Sequence, residues 1–420
     1  MGDRPQDIRI EDLAQPVLTP MQRAVIDAFA RSEVSFTEDA VLAAARTKTG
    51  LSDFGPDDFR ERLAVWLQAV DEDSELGPMG RRRLFSDTVR YAANRLRFHE
   101  LLRRHPEIVE VEIEAPIIVI GLPRSGTTHL LNLMAADRRL RSLPYWESLE
   151  PIPNPDERPG PDGVDPRLAR CRREYEMFGQ VAPLLKNMHD MAPEHAHEEI
   201  ELQAMDFASY LPEWLAVLPR WRDFYYGLDH RPHYAYMKNV LKALQWMRGP
   251  ERWVLKSPQH LEQIGPLMET FPDATVALTH RDPVSVVASA ITMLTYGDRL
   301  RRRRVDPPAV ARYWIDRVEH LLHACVRDRE RIPASQSVDV LFHEFMTDEL
   351  GMVERIYERA ELPMTEQARA QLTAYMDENP RGKHGRILYD LRNDFGVAPD
   401  ALRERFSFYF ERFAVQPESH

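Results

Sequence analysis

The sequence predicts an α/β fold, a three-layer sandwich with a central parallel sheet, a helical N-terminal extension and a helical insertion. Short apolar runs of strand length occur at 117–120, 253–255, 274–279 and 338–342. Helical patterns lie between them, the arrangement that covers a parallel sheet on both faces. The chemistry-bearing motifs fall at or just beyond the ends of these runs, where such sheets bind ligands.

Taken in order, residues 1–110 read as several helices. Phe59, Leu63, Trp66 and Val70 form one apolar stripe after Gly55-Pro56, and a longer helical run covers 82–104. No chemistry is visible there, and this extension either packs on the remainder or closes over it. Residues 111–420 form the α/β unit. Its first strand, from Ile117, breaks at Gly121 and restarts as a helix through Leu122-Pro123-Arg124-Ser125-Gly126-Thr127-Thr128. A strand, turn and helix start of this kind leaves several backbone N–H groups unpaired and partly positive, which makes a cradle for a phosphate.

An insertion at about 151–250 follows. Pro151, Pro153, Pro155, Pro159, Pro161 and Pro166 open it as a semi-rigid loop, and 167–246 is helical and aromatic. Trp214, Trp221, Phe224, Tyr225 and Tyr226 either pack a core or line an apolar acceptor pocket. After the strand at 274–279 comes His280-Arg281-Asp282-Pro283, with Asp282 and Pro283 suited to the N-cap and first position of a helix. Val284, Val287, Ile291 and Leu294 share one face of that helix.

The chain has 420 residues, 43% hydrophobic and 29% charged, with a net charge of −12. That balance disfavours broad attraction to nucleic acid or an anionic membrane, so an anion site must be built locally from arginines and helix ends. Cys171 and Cys325 give neither a disulfide framework nor zinc spacing and agree with a reducing cytoplasm. No apolar leader or bilayer-length stretch is present, and a cytoplasmic location is expected.

The spacing G-x-x-x-x-G-[ST]-[ST] is that of a P-loop, but Thr127 stands where an NTPase carries its lysine, and Arg124 is the only cation in the loop. Pro123 to Thr128 match P-[KR]-S-G-T-T. This resembles the 5′-phosphosulfate loop of sulfotransferases that use 3′-phosphoadenosine 5′-phosphosulfate (PAPS), and the arginine form is similar to that of tyrosylprotein sulfotransferases and many bacterial relatives. The resemblance runs from about Ala115 to Gly396.

The resemblance implies that Arg124, Ser125, Gly126, Thr127 and Thr128 hold the 5′-phosphosulfate, and that Arg281 and Ser289, eight residues apart, hold the 3′-phosphate. It also implies, more loosely, a late segment over the 3′-phosphate and adenine, matched here by Asn379-Pro380-Arg381-Gly382-Lys383-His384-Gly385-Arg386. A solvated basic turn is the alternative for Arg381, Gly382 and Lys383. Lys256, in Lys256-Ser257-Pro258-Gln259-His260, takes the position that touches the moving sulfonate, whereas Pro258 replaces the family's histidine base. A base is still needed to take the proton from an attacking hydroxyl. Glu147 is the candidate, with Glu150 and His260 as alternatives, because its aromatic context suits a raised pKa.

The expected activity is PAPS-dependent transfer of a sulfonate to a small-molecule or lipid-like hydroxyl acceptor, releasing adenosine 3′,5′-bisphosphate without a metal. His189, His195 and His197, near Glu194, Glu198 and Glu199, lack an H-E-x-x-H pattern and read as acceptor-pocket residues instead. Arginines 299 and 301–304 read as a solvated face, or as a site for an acidic acceptor or a lipid head group. The rival readings are a P-loop NTPase or kinase, and a non-catalytic nucleotide-binding protein of the same fold.

Overall fold

Residues 117–121, Ile-Ile-Val-Ile-Gly, alternate between two apolar environments, and that alternation sets the layers of the molecule. In the computed structural model, which describes residues 7–30, 34–73, 75–249, 251–380, 383 and 385–418, every residue of this strand is buried. Successive strand side chains point to opposite faces. Ile118 and Ile120 accordingly join one core with Leu255, Val276 and Leu278, while Ile117 and Val119 join a second with Val254, Ala277 and Val340.

The strands are β1 (Asp7–Arg9), β2 (Ile117–Gly121), β3 (Leu140–Arg141), β4 (Arg252–Lys256), β5 (Thr275–His280), β6 (Ser337–Leu341) and β7 (Arg386–Leu388). Five of them form a wholly parallel sheet in the order β3-β4-β2-β5-β6, and β1 pairs with β7 in a separate parallel ribbon. The four expected strands are therefore present with shifts of one or two residues at their ends. The two-residue β3 and the ribbon carry too few residues for a periodic signal.

One face of the sheet is covered by helices Thr127–Ala135, Glu349–Arg359 and Glu366–Glu378, through Leu130, Met134, Val353, Ile356 and Leu372. The other is covered by Arg231–Arg248, Pro283–Arg301 and Pro307–Asp328. The N-terminal helices join this second core. Phe59, Leu63, Trp66 and Val70 are at most 1% exposed, and Trp66 meets Trp221 of the insertion at 5.1 Å between ring centroids. The extension thus packs on the insertion helices.

Contacts settle the reading of the aromatic residues and of the arginine run. Trp221 and Tyr225 are fully buried, and Trp214 tilts onto Trp314 at 4.2 Å, so the aromatic cluster packs the core. The arginine run is only partly a solvated face. Arg299 pairs with Asp12, Arg301 with Asp298, and Arg302 with Asp73, whereas Arg303 and Arg304 are exposed. Arg299 and Arg302 tie the end of the helix Pro283–Arg301 to the N-terminal extension, and Arg301 is held within its own helix, so none of the three is free for an acidic acceptor. No helix among the described residues is long and apolar enough to cross a membrane.

Candidate active site

The cradle forms where β2 ends, beside the carboxyl end of β5. Gly121 has φ +154°, and a Cβ there would lie 2.0 Å from Thr279 Oγ1, so the turn closes only around a hydrogen. Gly126, at φ +90°, opens the helix Thr127–Ala135. Arg124 also adopts positive φ, 68°, an uncommon conformation for a branched-out cation and one that functional turns tend to hold. Ser125 Oγ donates to the Leu122 carbonyl at 2.5 Å and lies 2.7 Å from Thr279 Oγ1, fixing the loop to β5.

The helix Pro283–Arg301 begins as expected, with Pro283 in its first turn and Asp282 Oδ1 accepting from the Val284 N–H at 2.8 Å. Arg281 and Ser289 consequently face the loop. Arg281 Nη1 donates to the Arg124 carbonyl at 2.8 Å, and Arg124 Nε donates to Ser289 Oγ at 3.0 Å. The two motifs therefore meet in one cleft. The Arg124 side chain turns toward Ser289, where Tyr389 OH also lies 3.0 Å from the serine oxygen. Burial, and secondarily the neighbouring Arg281, draws the Arg124 guanidinium below its usual pKa, while Tyr389 opposes the shift. Protein surrounds Arg124 on most sides, yet part of it remains open to solvent.

Lys256 ends β4 on the other side of the loop. Its Nζ donates to Thr128 Oγ1 at 3.1 Å and is paired with Glu198. Glu198 comes from the insertion and is placed by two neighbours. Asn132, on the loop helix, exchanges hydrogen bonds with the Ala196 backbone at 2.9 and 3.2 Å. Glu199, fully buried, accepts the Lys256 main-chain N–H on both oxygens at 2.9 and 3.1 Å. Residues 196–199 are thereby stitched to the loop helix and to the end of β4.

His189 and His197 complete this wall, with ring centroids 6.3 Å apart. Burial, reinforced by Arg124 and Lys256, pushes the His189 pKa down to about 3, and burial holds His197 far below its ordinary value. Both are neutral near pH 7. His195 lies 3.7 Å from Asp190, and Glu194 pairs with Arg172, so the sequence cluster disperses. Among the described residues no group of three His, Cys, Asp or Glu side chains is arranged around a metal position.

Each of the three expected bases is held by other side chains. Glu147 is 1% exposed and accepts from Arg141 Nη2 at 3.3 Å and Arg248 Nη1 at 2.9 Å. Arg141 pairs in register with Trp253, three residues before Lys256, which puts this carboxylate beside the opening half of β4. Glu150 is forked onto Arg170, whose hydrogen bonds help hold its pKa below the usual carboxylate value against the opposing effect of burial. His260 Nδ1 is 2.7 Å from Tyr234 OH, and Nε2 is 3.5 Å from Glu199. The aromatic surroundings of Glu147 were legible in the sequence, but that Arg248, 101 residues away, reaches the same carboxylate was not.

Of the late basic segment, Arg381 and Gly382 lie outside the described residues. Lys383 Nζ donates to the Glu378 carbonyl at 3.1 Å, and Arg386 pairs with Asp7.

Residues 116–366 match the model of the sulfotransferase family. The chain belongs to the sulfotransferase family. This sulfotransferase is similar to two mycobacterial enzymes of solved structure. Sulfotransferase STF9 from Mycobacterium avium is 27% identical, with a TM-score of 0.82 over 93% of this chain and 100% of its own. Sulfotransferase STF1 from Mycobacterium tuberculosis H37Rv is also 27% identical, with a TM-score of 0.74 over 90% of this chain and 100% of its own. No curated protein matches the sequence significantly. The sulfotransferase is thus an enzyme of sulfonate transfer on a P-loop-type α/β fold, without the P-loop lysine.

Proposed function

We infer that the sulfotransferase takes its sulfonate from PAPS, with Arg124, Lys256 and the loop residues Ser125 to Thr128 around the 5′-phosphosulfate and with Arg281 and Ser289 on the 3′-phosphate. The observation that carries this reading is the contact of Arg281 Nη1 with the Arg124 carbonyl, because it joins the two motifs within reach of one nucleotide. The glycine cradle and the buried serines suit an anion approached by backbone N–H groups. Lys383 and its neighbours Arg381 and Gly382 are assigned to the same nucleotide end on the resemblance alone.

Glu198 is assigned the base in place of Glu147. It is the carboxylate on Lys256, and its side chain, 13% exposed, keeps a path open to an incoming hydroxyl. In the transfer the hydroxyl oxygen bonds to sulfur as the bond from sulfur to the phosphate oxygen breaks. Glu198 takes the hydroxyl proton, and Lys256 and Arg124 neutralise charge on the departing phosphate. Neutral His189 and His197 leave the adjoining wall uncharged, which suits a small-molecule or lipid-like alcohol. The two free, buried cysteines suit a reducing cytoplasm.

The test is transfer of labelled sulfonate from PAPS to a panel of alcohols and phenols, with titration calorimetry against PAPS, adenosine 3′,5′-bisphosphate and ATP with magnesium. Binding of the bisphosphate and label in the acceptor support the reading. Binding of magnesium ATP in preference to the bisphosphate would overturn it.

A further inference from the structure

Arg281, which the proposed function gives to the 3′-phosphate, already holds a carboxylate. Its Nε and Nη2 donate to the two oxygens of Glu418, both at 2.7 Å, in the forked arrangement that a guanidinium also makes with phosphate. The remaining contacts of Arg281 leave that edge as the place for an anion. Nη1 is engaged by the Arg124 carbonyl, and the guanidinium lies over the Phe342 ring at 4.1 Å from its centroid.

Glu418 is delivered to this position by its main chain. Its N–H donates to Asp282 Oδ2 at 2.7 Å, and its carbonyl accepts from Arg403 Nη2 at 3.4 Å. Asp282 is the cap of the helix that carries Ser289, so the Glu418 backbone is docked beside the anion site. The pair is open enough to exchange, with side chains 22% and 33% exposed for Arg281 and Glu418. Rotation of the Glu418 side chain alone would free the fork while the backbone contacts stay in place.

We propose that Glu418 is a built-in competitor for the 3′-phosphate of the nucleotide, an internal carboxylate that must leave Arg281 before the phosphate binds. This rests on the assignment of Arg281 to the 3′-phosphate. The apparent affinity for a 3′-phosphorylated nucleotide is then the intrinsic affinity reduced by the fraction of molecules whose fork is free. A nucleotide without a 3′-phosphate has no reason to displace Glu418 and escapes the competition.

Calorimetry with adenosine 3′,5′-bisphosphate and with adenosine 5′-monophosphate, on the full chain and on Glu418→Ala, Glu418→Gln and Arg281→Ala, tests this. Removal of the carboxylate should tighten bisphosphate binding by about three- to tenfold and leave monophosphate binding unchanged. Two Glu418 variants are used so that one with a lowered melting temperature does not decide the matter. Unchanged or weaker bisphosphate binding in a Glu418 variant that melts like the parent overturns the competition, and so does an equal gain for both nucleotides. Arg281→Ala separates the two levels. If it weakens bisphosphate binding while the Glu418 variants change nothing, the competitor fails and the site assignment stands. If it leaves bisphosphate binding intact, the site assignment itself fails.

Discussion

Lys256 Nζ lies 3.1 Å from Thr128 Oγ1, so a cation at the end of β4 is bonded to the first turn of the helix that follows β2. The same ammonium carries Glu198, which makes one lysine the junction between the anion cradle and the carboxylate assigned as base.

Lys256→Met should therefore lower kcat by about 10²- to 10³-fold, the scale on which preorganised charge at a leaving group acts. Binding of adenosine 3′,5′-bisphosphate should change far less. Turnover with labelled PAPS beside calorimetry on the product nucleotide checks the split.

Glu198→Gln keeps the shape and removes the proton acceptor, and kcat should fall by about 10²- to 10⁴-fold with nucleotide binding retained. Turnover within threefold of the parent would remove Glu198 from the role.

Glu147→Ala should act on stability. It takes the counter-charge from Arg141, whose side chain is 3% exposed and whose Nε and Nη1 have no protein partner. Breaking a buried pair on one side costs about 3–5 kcal/mol. A lowered melting temperature with near-parental activity per folded molecule is the expected result, and loss of turnover without loss of stability would return Glu147 to the chemistry.

Gly121→Ala should disrupt the cradle, because the added methyl would sit on Thr279 Oγ1 and the backbone has φ +154°. Overpacking of this kind costs about 1–3 kcal/mol, with backbone strain in addition. Nucleotide binding and denaturant midpoint should fall together.

Acid should destabilise the fold through His230. Burial brings its pKa down to about 4 although the Tyr225 carbonyl bonds its ring. Unfolding lets it take up a proton near pH 6.5, so its contribution is complete above that value and is lost as pH falls towards 4. The scale is about 3 kcal/mol. His230→Leu should flatten this part of the melting temperature profile between pH 6.5 and 4.

What the sequence revealed was local. The turn from Gly121 to Thr128, the cap at Asp282-Pro283 and the two-turn spacing of Arg281 and Ser289 are each contained within about ten residues, where chain geometry alone dictates the outcome. Glu198, Tyr389 and Glu418 reach the site from the insertion and from beyond residue 388, across separations of 58, 100 and 137 residues from the partners they touch. No periodicity or spacing encodes such meetings. The strand order and the burial of Glu147 by Arg248 were hidden for the same reason, since both follow from how distant segments pack.

The ribbon of β1 and β7 pairs Asp7 with Arg386, Ile8 with Ile387 and Arg9 with Leu388. Tyr389, one residue beyond that pairing, touches Ser289, to which the 3′-phosphate is assigned. A fusion partner or a proteolytic cut near Ile8 would thus be felt some 380 positions away in sequence, as altered nucleotide affinity.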